Sequence, residues 1–315
     1  MNDQSFAIRP YRVPDDDVGT AALSAACNAN PWTVADIEEW RRTFPADGIE
    51  CDFVAVDANG DIVGHANACR YPWSPPGQFA LSVTVHPRAR GRGLGKQLFG
   101  RVRDFAVQHG ATTLTAIVPV DEPAAVQFAE ALGFSTERHE FESRIELATW
   151  REEAHADKLA AVESLGIRFF TYADEPCEEA LYDLAKRNFV DLPGYTGETR
   201  YPPIDEWRKR WLEDPDTPLD CIIIAAVGEE PVGVTRMGKY NDAGDMKTWH
   251  TSVAREHRGK GIAVALKILA LRTTKRYGAG TLYTDNDSTN TPILRVNEKL
   301  GFKPMPGVFH MQRAV

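Results

Sequence analysis

Short runs in which apolar and polar residues alternate take turns along the chain with longer runs in which apolar residues recur every three or four positions. The run 81–85 alternates as a strand does, and the apolar residues at 94, 98, 102 and 105 have helical spacing. The run 249–253 precedes a helical run over 262–277 in the same way. Each half of the chain predicts the order β-α-α-β-β-β-α-β-α-β, which is an α/β fold of the α+β type with a mixed sheet.

The two halves repeat one another at a nearly constant offset. Gly93 and Gly261 stand 168 positions apart, and so do the Leu-Gly-Phe sequences at 132–134 and 300–302. Gly64 and Gly233, each after a predicted hairpin turn, stand 169 apart. An offset of this size indicates a duplicated domain rather than a short-period solenoid. The sequence therefore predicts domains at 1–148 and 167–315, joined by a helical linker over 149–166.

Each half places a glycine-rich turn between a strand and a helix. The residues of this turn are Arg90, Gly91, Gly93 and Gly95 in the first half, and Arg258, Gly259, Gly261 and Ala263 in the second. Backbone N–H groups at a helix N-terminus, the helix dipole and a nearby cation together form a site for phosphate or pyrophosphate. The glycine spacing fits neither the dinucleotide fingerprint of a Rossmann fold nor a Walker A loop.

The valines that end the two strands, Val85 and Val253, complete the pattern V-x-x-x-x-R-G-x-G-x-G/A. This pattern resembles the acetyl-CoA loop of the GNAT superfamily of acyl-CoA-dependent N-acyltransferases, and the resemblance extends over nearly the whole chain. It implies a tandem duplication of the GNAT fold, in which two central strands splay apart. It also implies that the loops hold the pyrophosphate of acetyl-CoA and that backbone groups at the two valines pair with its pantetheine arm.

The segment 284–292 of the second half runs from a strand end into a helix and is rich in Asn, Asp, Ser and Thr. The resemblance implies that an asparagine here binds the cofactor, with Asn290 as the first candidate, Asn286 as the second and Asn297 continuing the segment. The same residue types are equally expected as helix caps and turn formers. The first half has no asparagine at 119–123. The second half is therefore expected to hold the complete catalytic site, while the first binds cofactor without turnover or is structural.

The groups that would move protons are less sharply indicated. Many members of the superfamily protonate the thiolate with a tyrosine three positions before the Leu-Gly-Phe leucine, where this chain has Ala129 and Asn297. Water, a backbone group, Tyr283 and Ser288 are left as alternatives for the acid. A primary ammonium, with a pKa of about 10, must lose a proton before it attacks. His250, on the strand before the second loop, is the candidate base; the alternative is an ordinary strand histidine.

Composition narrows the class of protein. The five cysteines are scattered, which argues against a disulfide framework and a zinc site, and no metal is expected. A net charge of −9 argues against nucleic-acid binding and is compatible with a cationic substrate. Residues 1–5 do not resemble the start of a signal peptide, and no apolar run is long enough to span a bilayer. These features predict a cytoplasmic protein without a membrane partner.

The leading hypothesis is an N-acetyltransferase that moves an acetyl group from acetyl-CoA to a primary amine of a small molecule, by direct transfer in a ternary complex. The alternative from another class is an acyl-CoA-binding protein without catalysis, acting as a regulator or scaffold. A protein-lysine acetyltransferase is a third hypothesis. The segment 191–203 is interpreted either as a lid over an acceptor pocket or as a surface loop. The acceptor, the acyl chain length and a homodimer are left open.

Overall fold

The computed structural model describes residues 6–28, 31–195, 197 and 200–315. Residues 1–5, on which the expectation about a signal peptide rests, lie outside this range. The chain divides into unit 1, which comprises Met1–Glu137 and Phe309–Val315, and unit 2, which comprises Arg138–Val308. This division differs from the boundaries of the sequence repeat, since the last residues of the second copy belong to unit 1. The domain boundaries 1–148, 149–166 and 167–315 stay a prediction about the repeat.

Unit 1 contains the first copy of the predicted element order. Its elements are β1 (Ala7–Pro10), α1 (Asp17–Cys27), α2 (Val34–Thr43), β2 (Ile49–Val56), β3 (Ile62–Arg70), β4 (Gln78–Val85), α3 (Leu94–Gln108), β5 (Thr113–Pro119) and α4 (Pro123–Ala131), with β6 (Ser135–Glu146) beginning in this unit. Strands β1 to β4 pair antiparallel in chain order, and β5 runs parallel to β4. The predicted cap of α2 is confirmed, because the Thr33 side chain accepts a hydrogen bond from the backbone N–H of Asp36.

Unit 2 contains the second copy. Its elements are α5 (Ala156–Glu163), β7 (Ile167–Thr171), α6 (Glu178–Phe189), α7 (Ile204–Trp211), β8 (Ile222–Val227), β9 (Glu230–Lys239), β10 (Met246–Val253), α8 (Ile262–Arg276), β11 (Thr281–Asp287), α9 (Thr291–Leu300) and β12 (Lys303–Ala314), whose last residues belong to unit 1. The strands lie in the order β6-β11-β10-β9-β8-β7. Only β10 and β11 pair parallel; the other neighbours whose pairing is described are antiparallel. The mixed sheet predicted from the sequence is confirmed.

In each unit the helix after the glycine-rich turn packs on the sheet at a glycine. In unit 1, a Cβ on Gly64 would lie 2.8 Å from Leu98 Cδ1, and Leu98 is fully buried. In unit 2, a Cβ on Gly233 would lie 3.1 Å from Ile262 Cγ2. These glycines have no positive φ, so they are required by the close approach of helix and sheet rather than by backbone conformation. The repeat of Gly64 and Gly233 thus has a packing cause.

Gly64→Ala is expected to lower the free energy of unfolding by about 1–3 kcal/mol, because the new methyl group overpacks the contact with Leu98. Gly100→Ala is the matched control, since Gly100 lies within α3 and its Cβ would meet nothing within 4 Å. This control is expected to raise the free energy of unfolding by about 0.5–1 kcal/mol, through a lower cost of ordering the helix. Urea unfolding of both variants measures the two changes, and equal shifts of the same sign would contradict the packing argument.

Candidate active site

The parallel strands β10 and β11 pair over only three residues and then separate. Met246 lies opposite Leu282, Lys247 opposite Tyr283 and Thr248 opposite Thr284, after which the two strands continue without pairing each other. Strands β4 and β5 of unit 1 do the same beyond Ala80 and Thr115. Backbone groups along the inner edges of such an opening are available to a ligand, because they are not used by the neighbouring strand. Both units therefore have the splayed pair of strands.

A β-bulge in β10 lies where the two strands of unit 2 separate. The register between β9 and β10 shifts between Thr248 and His250, so Trp249 is an extra residue in its strand. A bulge turns backbone groups out of the ladder and re-aims side chains. In unit 1 the pairing of β3 with β4 is regular from Gly64–Val85 to Cys69–Ala80. The bulge distinguishes the two units, and neither glycine nor proline marks it in the sequence.

The glycine-rich turns have nearly the same backbone conformation in the two units. Gly91 and Gly93 have φ of 73° and 77°, and Gly259 and Gly261 have φ of 77° and 85°. These values lie in the left-handed region, which glycine adopts without steric cost. A Cβ on Gly91, Gly93 or Gly259 would meet nothing within 4 Å, so the space in front of the turn is open. Each turn leads directly into the first turn of a helix, α3 or α8, whose N–H groups can bind an anion.

The two loop arginines brace the loops against the strand ends. Arg90 Nε donates to the carbonyl of Val85 at 2.9 Å, and Arg258 Nε donates to the carbonyl of Val253 at the same distance. Arg258 also pairs with Asp191 Oδ2 at 2.6 Å, and Arg255 pairs with the same carboxylate. Hydrogen bonds from these two guanidinium groups hold the pKa of Asp191 well below its usual range. The second loop thus has a built-in anion beside its cation, whereas Arg90 forms no ion pair among the described residues.

His250 lies half-buried just after the bulge, within a short hydrogen-bonded chain. Its Nε2 is 2.9 Å from Ser252 Oγ, which accepts a hydrogen bond from Asn188 Nδ2 at 3.1 Å. The ring of Trp211 covers the imidazole at 5.0 Å. Burial, followed by the nearby guanidinium of Arg236, lowers the pKa of His250 to about 4. The imidazole is therefore neutral at pH 7, which is the protonation state of a base.

The three asparagines of the segment after β11 have structural partners, and only two of them come together. Asn286 donates to Ser143 Oγ at 2.8 Å and accepts from Asn297 Nδ2 at 2.7 Å. Both residues are buried, with 4% and 3% of their surface exposed. Asn290 is the N-cap of α9, where its side chain accepts from the N–H of Ile293. These contacts fit the alternative in which the segment caps and shapes the fold, and a bond to a cofactor stays a prediction.

The two candidate acids occupy different environments. Ser288 Oγ accepts a hydrogen bond from the backbone N–H of His139 at 2.9 Å, which ties it to β6. Tyr283 lies opposite Lys247 at the point of separation, and its ring is 4.7 Å from that of Tyr240. Side chains of laterally paired residues project to the same face of a sheet. Tyr283 is therefore the candidate that is nearer to the opening.

A charged cluster at the same point was not anticipated from the sequence. Lys247 Nζ donates to Glu142 Oε1 at 2.6 Å and to Asp285 Oδ1 at 2.8 Å, and it lies 4.9 Å from the ring centroid of Trp249. Burial by itself would lower the pKa of Lys247, but the two carboxylates outweigh burial and hold that pKa above its ordinary value. The three charges come from three different strands, so no local motif could have indicated them. Lys247 is a fixed cation beside the bulge.

Part of the segment interpreted as a lid lies outside the described residues, namely Thr196, Glu198 and Thr199. The described parts pack on unit 2. The ring of Tyr201 lies 5.0 Å from that of Phe189, and burial holds the pKa of its hydroxyl far above the ordinary value. The described part at Tyr201 is therefore anchored in the aromatic packing around α6.

A family model described as the acetyltransferase (GNAT) family matches residues 20–134 and again residues 179–302. The chain belongs to the GNAT family. The two matches fall on the two copies of the repeat, and each includes one splayed pair of strands and one glycine-rich turn. Members of this family are acetyl-CoA-dependent N-acetyltransferases, and the chain is accordingly a GNAT enzyme.

Curated GNAT relatives are named for acetyl transfer. The L-2,4-diaminobutyric acid acetyltransferase of Nocardia farcinica is 30% identical over 142 residues, which cover 39% of this chain and 71% of the relative. The mycothiol acetyltransferase of Thermobispora bispora is 28% identical over 235 residues, which cover 73% of this chain and 74% of the relative. These names support acetyl transfer in general.

Solved structures show the same tandem architecture. A GCN5-related N-acetyltransferase from Sphaerobacter thermophilus superposes with a TM-score of 0.65 at 19% identity, covering 98% of this chain and 95% of that one. A tandem GNAT protein from the clavulanic acid biosynthesis pathway superposes with a TM-score of 0.64 at 22% identity, covering 98% of both chains. At these identities the likeness shows the fold, and it confirms the predicted duplication of the GNAT fold.

Two further findings concern groups that the fold does not carry. Over the part of the chain that the structure describes, no group of three or more His, Cys, Asp or Glu residues is placed to hold a metal ion. Over the same residues, no helix is both long and apolar enough to span a bilayer.

Proposed function

We propose that unit 2 transfers an acetyl group from acetyl-CoA to the primary amine of a small molecule, by direct attack within a ternary complex. The observation that carries the assignment to unit 2 is the bulge at Trp249, at the point where β10 leaves β11. A bulge frees a backbone N–H from the ladder, and a preorganised N–H beside a thioester carbonyl stabilises the negative charge that develops on its oxygen. The equivalent strand of unit 1 has regular pairing.

The turn of unit 2 fits the pyrophosphate of acetyl-CoA. Gly259 leaves open space before the N-terminus of α8, and Arg258 fixes the turn to the end of β10. The bound thioester supplies the acyl group, and the residues of the chain supply position and proton transfer. The new C–N bond forms as the C–S bond breaks, the ammonium loses one proton, and the departing thiolate takes up another.

His250 is the candidate acceptor of the ammonium proton, with Ser252 as the next group along its hydrogen-bonded chain. Its lowered pKa keeps it neutral, but it also makes it a weak base, so His250 passes a proton on rather than holding it. Tyr283 is the candidate donor to the thiolate. The fixed charge of Lys247 beside Trp249 also favours a developing anion at this point.

The proposed function is tested by measuring CoA release and acetylated product from the full chain with acetyl-CoA and a panel of small amines. Product formed from a free amine, with one thiol released per product, supports it. Binding of acetyl-CoA in a calorimetric titration without turnover of any amine would favour the alternative of a non-catalytic acyl-CoA-binding protein. That alternative is kept because Asn297 stands where many GNAT enzymes have an acidic tyrosine.

His250→Gln is expected to lower kcat about 100-fold and to leave the KM for acetyl-CoA nearly unchanged, because general-base catalysis contributes at least this factor. The wild-type rate is expected to show no loss of activity between pH 7 and pH 5 beyond that caused by protonation of the amine, since His250 titrates near pH 4. His109→Gln, at an exposed histidine of unit 1, is the matched control. An unchanged kcat for His250→Gln would remove His250 from the mechanism.

A further inference from the structure

A cleft of about 460 Å³ opens in unit 2 next to the bulge. Its walls include the end of α7, the segment after α7 and two strands of the sheet. The lining residues that matter for the argument are Lys209, Arg210, Glu213, Asp214, Arg236 and Trp249. Trp249 is the extra residue of the bulge, so this cleft begins where the proposed acyl transfer takes place.

The floor of the cleft is a buried guanidinium with an unused donor. Arg236 has only 8% of its surface exposed, and its Nη2 donates to the carboxylate of Asp214 and to the backbone carbonyl of Arg210. Its Nε is buried and has no hydrogen-bond acceptor among the described residues. An N–H that is removed from water without an acceptor is costly, which is why such groups often mark a site where a ligand completes the bonding. The cleft is therefore a built feature rather than an accidental gap.

Arg236 is also coupled to the candidate base. It lies directly opposite His250 in the pairing of β9 with β10, and the ring of Trp211 contacts both side chains, at 5.9 Å from the guanidinium and 5.0 Å from the imidazole. A molecule that occupies the cleft against Arg236 thus has its other end at His250 and Trp249. These are the positions that an acceptor requires.

The charge of the cleft is positive once its internal pair is set aside. Asp214 is engaged by Arg236 and by Thr217, so the two charges at the floor compensate one another. At the rim, Lys209 and Arg210 form no ion pair with any described residue, and Glu213 is the one further carboxylate of the lining. Two free cations against one free carboxylate leave an excess of positive charge, although the whole chain carries −9.

We propose that the acceptor is an amine that also carries an anionic oxygen group, a carboxylate or a phosphate, and that Lys209 and Arg210 bind this group at the rim of the cleft. The proposal rests on the proposed function, since it names the substrate class of the same site. An amine without an acid would place its ammonium in a positively charged cleft, whereas an amino acid places its acid at the rim and its amine toward His250. This differs from the cationic substrate that the net charge suggested.

The test compares acceptors that differ only in the acidic group. The full chain is assayed with 4-aminobutyrate and 4-aminobutyramide, and with phosphoethanolamine and ethanolamine. The acidic member of at least one pair is expected to have a kcat/KM about tenfold higher, as one charge-assisted contact provides. Which pair shows the difference separates a carboxylate acceptor from a phosphate acceptor. A calorimetric titration of the preferred acid in the presence of CoA gives the same comparison without turnover.

Lys209→Gln combined with Arg210→Gln is expected to remove this preference, mainly through KM, while the rate with the uncharged amines is unchanged. Both side chains are exposed, so the fold is expected to be retained. Lys275→Gln combined with Arg187→Gln is the matched control, because it removes the same two charge types from exposed positions outside the cleft. Turnover without any preference for acids, or a preference that survives the double substitution, would overturn the proposal and leave the proposed function intact. No turnover of any amine would overturn both.

Discussion

Gly261→Trp is expected to abolish acetylation of amines and to weaken the binding of acetyl-CoA by more than about 100-fold. Gly261 is the last residue before α8, and its φ of 85° places it at the N-terminus of that helix, where a pyrophosphate would lie. An indole at this position fills the anion site and replaces a glycine in the left-handed region, which costs about 1–2 kcal/mol of stability. Calorimetric titration with acetyl-CoA and the amine assay measure the two effects.

Two matched substitutions separate the site from the cost of strain. Gly278→Trp changes a glycine with φ of 76° beyond the end of α8, so it tests the strain without touching the loop. Gly93→Trp makes the same change in the loop of unit 1 and is expected to leave turnover intact. Loss of turnover in Gly93→Trp with retention in Gly261→Trp would show that unit 1, rather than unit 2, is the active half. Loss in both would mean that both loops are needed.

Lys267→Met is expected to raise the free energy of unfolding at pH 7 by about 3 kcal/mol. Lys267 lies on α8 with 1% of its surface exposed, where its Nζ donates to Thr284 Oγ1 at 2.8 Å and lies 5.2 Å from the ring centroid of Phe302. Burial lowers the pKa of Lys267 to about 7. The unfolded chain, with an ordinary lysine pKa near 10.4, binds the proton more tightly, and this destabilises the folded state at neutral pH.

The sign of the pH dependence follows from the same shift. Between about pH 7 and pH 10 the unfolded state holds more protons than the folded state, so stability rises with pH over this window. Lys267→Met is expected to remove this rise, and Lys275→Met, at an exposed position of the same helix, is expected to keep it. Urea unfolding at pH 7 and pH 9.5 measures the slope. An unchanged slope in Lys267→Met would show that the ammonium is solvated in the folded chain.

The two units share a duplicated frame but differ in the features that support chemistry. Both have a glycine-rich turn and splayed strands, whereas the bulge at Trp249 belongs to β10 alone when the two equivalent strands are compared. The His250 chain and the cleft above Arg236 lie beside that bulge. A duplicated enzyme that keeps one active copy is expected to show this asymmetry, because the second copy is then free to lose the groups used in catalysis.

The predictions of the fold succeeded where they depended on local and repeated signals. The strand, turn and helix around Gly93 recur around Gly261, and each glycine has the positive φ that the turn requires. Site residues were harder to assign, because their roles depend on partners from distant segments. Asn290 and Asn286 have a helix cap and a buried amide pair as their observed partners, and Ser288 has the backbone of His139. The sequence around them has no feature that distinguishes these uses from contact with a cofactor.

By itself the sequence determined the duplicated α/β fold, the phosphate-binding character of the two turns and, through them, the GNAT family. These properties depend on hydrophobic periodicity and on the backbone freedom of glycine, both of which act within a few residues. Only the tertiary structure decided that β10 is bulged, that Lys267 is buried, and that Arg236 lies opposite His250 at the floor of a cleft. Strand register, burial and charge balance arise from segments that are far apart in sequence, so no local pattern encodes them.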